Sequence, residues 1–142
     1  EINFLPLNYF SDAKDLESTD YNVILDPIKK FIDKSSIKLI NVRYVPYCFM
    51  QNYEKNVVGY AQHVFDLYDW NIALYNYLEP TPENLKEQIH QNRLDSYIKH
   101  KECINCKYFL ICDGIEPQNN SKIKPVLGDK ITNILEYREN FY

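Results

Sequence analysis

Three of the four cysteines of this chain lie within one short stretch, "CINCKYFLIC". Two residues separate Cys103 from Cys106, and five separate Cys106 from Cys112. A two-residue gap lets both sulfurs face one metal ion or one iron–sulfur cluster, and Cys112 returns to the same place if "KYFLI" makes about one helical turn. Three reactive thiols so close together are a poor choice for packing alone. The stretch therefore predicts a metal site that needs one more ligand.

Cys48 is the candidate for that fourth ligand, since no other cysteine remains. It follows a predicted strand, and sites in parallel sheets form where strands end. Packing in the core is the alternative role for Cys48, and Glu116 is an alternative fourth ligand. A site of four thiolates suits either zinc or an iron–sulfur cluster, and the spacing does not separate the two.

Charge and composition exclude some classes of partner. The formal net charge is −4 and the lysines and arginines form no basic tract, which argues against a general binder of nucleic acid or of membrane surfaces. No apolar run approaches the length of a membrane span, and no segment has the pattern of a secretion signal. Because Cys103 and Cys106 are also too close for an ordinary structural disulfide, we expect free thiols in a reducing, cytoplasmic compartment.

The first third of the chain predicts a strand–helix–strand unit. "INFLPL" predicts a strand over residues 2–6, and "IKLINVRYV" a second over residues 37–45. Between them, apolar residues recur at helical spacing, with Asp26 as N-cap before Pro27, or with Pro27 as a kink in a longer helix. Such a unit implies parallel strands. Because the second residue already belongs to a strand, we expect the chain to be part of a longer protein.

The remainder predicts a mainly helical, loop-rich region, so the fold class expected is α+β. Apolar positions at 57, 58, 61, 64, 65 and 68 fit one helix face. A clear helix follows in "TPENLKEQIHQNRLDSYIKHK", with Thr81 as its N-cap. A loop, "IEPQNNSKIKPVLG", precedes a final amphipathic helix over residues 129–142.

Other polar residues have alternative interpretations. Arg43 lies in an apolar strand, where it either pairs with a carboxylate or faces an anionic cofactor or substrate. We expect His63 to be packed, and His90 and His100 to be solvated. Two carboxylates, Asp66 and Asp69, are expected on an exposed face or at a helix cap rather than as an acid–base pair.

The stretch "CINCKYFLICDG" resembles the C-terminal SPASM and twitch regions of radical S-adenosylmethionine enzymes, which bind auxiliary four-iron four-sulfur clusters. "KPVLGDKI" and the segment "NVRYVPYCFMQNYEKNVVGYAQHVFDLYDWN" are similar to that family as well. The family has a cysteine after the last barrel strand and a glycine further on, and here Gly59 follows Cys48. The resemblance implies one auxiliary cluster held by Cys48, Cys103, Cys106 and Cys112, and it admits Arg43 as a cofactor-binding residue.

This resemblance also implies a division of the chain. Residues 1–46 would be the end of a partial (β/α)6 barrel, and residues 47–142 the auxiliary-cluster region. Further cysteines of the family pattern are absent, since Val64 and Glu116 stand at two of their positions. The catalytic C-x3-C-x2-C motif is absent too, so S-adenosylmethionine would bind an upstream core of the same chain, which acts on a peptide or small-molecule substrate. A structural zinc module of an interaction protein is the alternative function.

Overall fold

Three short parallel strands form the sheet in the computed structural model, which describes residues 1–5, 19–58 and 97–141. Strand β1 spans Ile2–Phe4, β2 spans Ile40–Arg43 and β3 spans Val57–Val58, and they lie in the order β1-β2-β3. Both pairings are parallel. Parallel neighbours need a crossover connection, and helix α1, Tyr21–Lys34, lies between β1 and β2 in the chain.

Helix α1 begins earlier than Asp26. Its N-cap is Asp20, whose side chain accepts a hydrogen bond of 2.7 Å from the backbone N of Asn22. Of the two predicted alternatives, Asp26 as N-cap is therefore wrong, and the longer helix that contains Pro27 is confirmed. Pro27 cannot donate to the carbonyl of Val23, but both residues are exposed, so water can bond that carbonyl instead.

Strand β2 is shorter than the predicted range of 37–45 because Tyr44 adopts a φ of 63°, which leaves the extended region. Two 3-10 helices follow, Tyr47–Phe49 and Glu54–Asn56. The structure then corrects the prediction that positions 57 and 58 begin a helix. These β-branched residues form β3, where Val57 pairs with Val42.

After residue 97 the described chain is mostly irregular. A 3-10 helix spans Lys101–Asn105, and a final helix, α2, spans Ile134–Glu139, which is shorter than the 129–142 predicted. The predicted helical positions 61–68, and most of the predicted long helix after Thr81, lie outside the described residues. In the part of the chain that the structure describes, no helix is long and apolar enough to cross a membrane.

A single core joins the two ends of the described chain. Leu25 of α1 and Val42 of β2 are fully buried, and they belong to the same cluster as Tyr108 and Ile115. This cluster also includes the following buried residues: Tyr21, Val45, Tyr47, Phe49, Met50, Val57, Cys106 and Ile111. The sheet and helix therefore pack directly against the cysteine-rich stretch.

Candidate metal centre

The four cysteines line one cavity, here called the cysteine cavity. All four are free thiols. Lys99 also lines the cavity, and the remaining wall is largely apolar: Pro46, Tyr108, Phe109, Gly114, Ile115 and Ile123. The structure thus brings Cys48 together with Cys103, Cys106 and Cys112.

Cys48 reaches this cavity because the chain turns sharply after β2. The 3-10 helix that carries it is closed by hydrogen bonds from the backbone N of Phe49 to the O of Pro46 (3.1 Å) and from the N of Met50 to the O of Tyr47 (2.9 Å). Tyr47 and Phe49 are buried, whereas Cys48 is half-buried. The ring of Tyr47 stacks on that of Tyr108, with centroids 5.1 Å apart. This contact fixes the Cys48 turn against the cysteine-rich stretch.

Successive turns of the backbone place the other three thiols. The backbone N of Cys103 donates to the O of His100, and that of Cys106 donates to the O of Cys103, both at 2.9 Å. The N of Cys112 donates to the O of Tyr108 at 2.8 Å, which closes one helical turn. That turn over "KYFLI" is the one that the sequence predicts, and it returns Cys112 to the cavity.

Gly114 closes the cavity on the side of Ile98. Its φ is 115°, and a Cβ added there would lie 2.3 Å from the carbonyl O of Ile98. That close approach allows two backbone hydrogen bonds, from Ile115 N to Ile98 O (2.9 Å) and from Ile98 N to Ile115 O (2.8 Å). Only glycine fits such a position without strain.

Burial favours the protonated form of three thiols, those of Cys48, Cys103 and Cys112, when no metal is bound. It raises the pKa of Cys48 from 9.0 to about 12, with a further contribution from repulsion by Cys112, Cys106 and Cys103. Burial also raises the pKa of Cys112 to about 11, helped by the charge of Asp113, and it raises the pKa of Cys103. A metal must therefore displace protons from these thiols, and neutralising the thiolate charge would favour its binding.

Lys99 places a positive charge beside the thiols. Its Nζ donates to the carbonyl O of Phe109 at 2.5 Å and lies 4.6 Å from the centroid of the Phe109 ring. These contacts hold the ammonium group at the cavity wall. A fixed cation there offsets part of the negative charge that four thiolates would carry.

The thiols surround the cavity without meeting at one ion. The free space at its centre is about 20 Å³, enough for a water molecule or an ion. Four sulfurs around one zinc lie about 3.8 Å apart, given Zn–S bonds of about 2.3 Å. Among residues 1–5, 19–58 and 97–141, no group of three or more His, Cys, Asp or Glu side chains has the spacing that one metal ion needs. The donor set fits a thiolate-bound group, and binding requires the side chains to turn.

The other predicted site residues lie apart from the cysteine cavity. Arg43 is buried in β2, where its Nε donates to Asn3 Oδ1 at 3.1 Å. Glu116 is buried and His100 is exposed, and neither lines the cavity. Five positions discussed above lie outside the described residues: His63, Val64, Asp66, Asp69 and His90.

Sequence reasoning missed Lys99 and Phe109 as part of this site. Lys99 lies near the end of a predicted helix, where a cation interacts favourably with the helix dipole, so no further role was expected. A lysine and a phenylalanine ten positions apart give no periodic signal, so only the turn over residues 107–111 brings the Phe109 carbonyl to Lys99.

Comparison with known proteins gives no further guide to function. No family model matches the chain, and neither a curated protein nor a solved structure matches it.

Proposed function

We propose that this chain binds one four-iron four-sulfur cluster through its four cysteines and serves as the auxiliary-cluster region of a radical S-adenosylmethionine enzyme. The observation that carries the proposal is that Cys48, distant in sequence from the other three cysteines, lines one cavity with them, and that the walls of this cavity are largely apolar. The resemblance of "CINCKYFLICDG" to the auxiliary-cluster regions of that family favours a cluster over a single ion. Thiolates are the usual ligands of iron–sulfur clusters.

Each part of the cysteine cavity has a role in this proposal. The thiols of Cys48 and Cys112 give up their protons and become ligands, together with Cys103 and Cys106. Tyr108 and Ile115 exclude water, which keeps the local dielectric low. The ammonium group of Lys99 offsets thiolate charge. A cluster bound there supplies one-electron transfer or orders the region around it.

The remaining parts of the enzyme would come from elsewhere in a longer chain. An upstream core would hold the catalytic cluster and S-adenosylmethionine, and residues 1–46 would be the end of its barrel. Arg43 is buried in β2, and in this proposal it would contact an anionic cofactor or substrate. The substrate class is a peptide or a small molecule, and four free thiols suit a cytoplasmic location.

A structural zinc ion is the second candidate, in a module of an interaction protein. The observation that favours it is the small free space at the centre of the cysteine cavity, about 20 Å³, which suits one ion. Zinc would use the same four thiolates and would stabilise the fold without redox chemistry.

Anaerobic reconstitution of the 142-residue chain distinguishes the two candidates. With iron and sulfide, we expect about four of each per chain and a broad visible absorption band that dithionite bleaches. Cys48→Ala is expected to lose the cluster, whereas Glu116→Gln retains it, because Glu116 does not line the cavity. A colourless protein that retains one tightly bound zinc after iron and sulfide treatment would contradict the cluster proposal.

A further inference from the structure

A second cavity is also lined by Cys48, and it carries three lysines. It is here called the lysine cavity, and its free volume is about 200 Å³. Lys29, Lys122 and Lys124 line it together with two amide side chains, Asn22 and Gln51. Cys48 and Phe49 complete the wall. The cavity is therefore polar and large enough for a small molecule.

Two hydrogen bonds bring the lysines together from distant parts of the chain. The backbone N of Tyr21 donates to Ser121 Oγ at 2.7 Å, and Asn119 Nδ2 donates to the O of Thr19 at 3.1 Å. Ser121 and Asn119 are both buried. These bonds fasten the segment just before Lys122 to the start of α1, two turns before Lys29.

Neighbouring side chains of that segment line different cavities. Ile123 packs against the core and lines the cysteine cavity, whereas its neighbours Lys122 and Lys124 line the lysine cavity. Side chains of an extended backbone alternate in this way. Pro125 favours that extended form at Lys124, because a residue before proline is restricted to it.

The charge of the lysine cavity opposes that of the whole chain. The formal net charge is −4, yet three lysines line this cavity and no carboxylate of the described residues lines it. Within the described ranges none of the three makes an ion pair. The nearby Asp20 side chain accepts from the backbone N and from Nδ2 of Asn22, at 2.7 and 2.8 Å, as the cap of α1. Three like charges in one cavity repel one another, and a bound anion would relieve that repulsion.

We propose that the lysine cavity binds the oxyanion group, a phosphate or a carboxylate, of a small molecule. The three ammonium groups would contact the oxyanion, and the amide groups of Asn22 and Gln51 would contact the rest of the ligand. The ligand would lie beside Cys48, which is common to both cavities. The proposal does not rest on the cluster, since none of the three lysines lines the cysteine cavity.

Calorimetric titration of the 142-residue chain with inorganic pyrophosphate, and separately with citrate, tests the proposal. We expect saturable binding of at least one of them at low ionic strength, and the better ligand tells a phosphate site from a carboxylate site. Lys29→Met, Lys122→Met and Lys124→Met keep the aliphatic stem and remove the charge. Each is expected to weaken binding roughly 10-fold or more, the usual effect of losing one charged hydrogen bond.

Lys38→Met is the matched control, because Lys38 is exposed and does not line the cavity. It should leave the affinity unchanged, and circular dichroism should show that all four variants keep the fold. Absence of binding by both anions, or an equal loss in Lys38→Met, would overturn the proposal. The titration is repeated on metal-free and reconstituted protein, and binding to both separates this result from any failure of the cluster proposal.

Discussion

The cysteine cavity and the lysine cavity share Cys48 but differ in wall, size and charge. The first has mostly apolar walls and about 20 Å³ of free space, and the second is polar with about 200 Å³. Burial raises the pKa of the Cys48 thiol, so the first cavity suits a ligand that neutralises thiolates and stays bound. Ammonium groups in an open polar cavity suit a dissolved anion that exchanges. Cys48 lines both cavities, whereas Ile123 lines only the first.

The largest loss of stability is expected from adding a methyl group at Gly114, where the wall of the cysteine cavity approaches the Ile98 backbone. In Gly114→Ala, the new methyl group would meet the Ile98 carbonyl at 2.3 Å and the positive φ would be strained. We expect a loss of about 3 kcal/mol or more in the free energy of unfolding, measured by urea denaturation. Gly128→Ala is the control, since its φ of 147° is strained but, among the described residues, the added methyl group would meet only side-chain atoms of Lys107, at 3.7 Å. Its loss should be about 1 kcal/mol. Equal losses would show that the Ile98 contact does not restrict the site.

Measuring metal binding and anion binding on one variant of each cavity tests whether the two cavities are independent. Cys48→Ala removes one proposed ligand and should weaken metal binding roughly 100-fold or more, since even outer-shell changes cost 10- to 100-fold. It should leave binding of pyrophosphate or citrate nearly unchanged, because the lysines remain. Lys122→Met should weaken binding of pyrophosphate or citrate and leave metal binding nearly unchanged. Metal content and calorimetry on both variants measure this, and a joint loss in either variant would show that the cavities act as one site.

The raised thiol pKa values predict that the metal-free protein, and not the metal-loaded one, loses stability as the pH rises above 9. The folded-state pKa of Cys48, about 12, exceeds its ordinary value of 9.0. The protonated thiol therefore stabilises the fold below pH 9, and that stability is lost as the pH rises toward 12. At about pH 10.5 the loss should be about 1 to 2 kcal/mol.

Thermal unfolding between pH 8 and 10.5 would measure this loss. In the metal-free state, the stability of Cys48→Ala should depend less on pH, because the Cys48 thiol no longer titrates while the other titrating groups are unchanged. Metal-loaded protein should not show this loss, because its thiolates carry no proton; below pH 9 its stability should instead rise with pH, since unfolding would take up protons. If the stability of Cys48→Ala falls with pH as steeply as that of the original protein, other groups cause the pH dependence.

A smaller effect is expected at the outer wall of the cysteine cavity. The hydroxyl of Tyr108 donates to Glu54 Oε1 at 2.6 Å, and Tyr108 is fully buried. Tyr108→Phe keeps the stacking on Tyr47 but removes that donor, so we expect a loss of about 1 to 2 kcal/mol in unfolding free energy. Tyr53→Phe removes a similar bond to Asp33 at 2.8 Å in an exposed setting. It should cost less, and an equal cost would mean that burial does not strengthen the Tyr108 bond.

Sequence patterns predicted the parts of this molecule that depend on local spacing. The strand–helix–strand order indicated the parallel pairing of β1 and β2, and the helical turn over "KYFLI" was expected from the gap before Cys112. Strand β3 was missed because two valines fit a helix face as well as a strand. Asp20 was missed as N-cap because Asp26 stands directly before a proline, which is a common helix start.

The lysine cavity was beyond sequence reasoning for a different reason. Lys29 and Lys122 are far apart in the chain, and their approach depends on the bond between Tyr21 and Ser121. Serine and tyrosine carry no pattern that identifies such a pair. Assignment to the radical S-adenosylmethionine family, and the cluster itself, stay predictions, because no family model, curated protein or solved structure matched the chain.

The rate at which Cys48 is alkylated in metal-free and in metal-loaded protein tests the central claim most directly. Peptide mapping by mass spectrometry after timed, anaerobic treatment with iodoacetamide gives a separate rate for each cysteine. If one group binds all four thiols, loading should slow all four together by a similar factor. If Cys48 keeps its metal-free rate while Cys103, Cys106 and Cys112 are protected, Cys48 is no ligand and the four-thiolate site is contradicted.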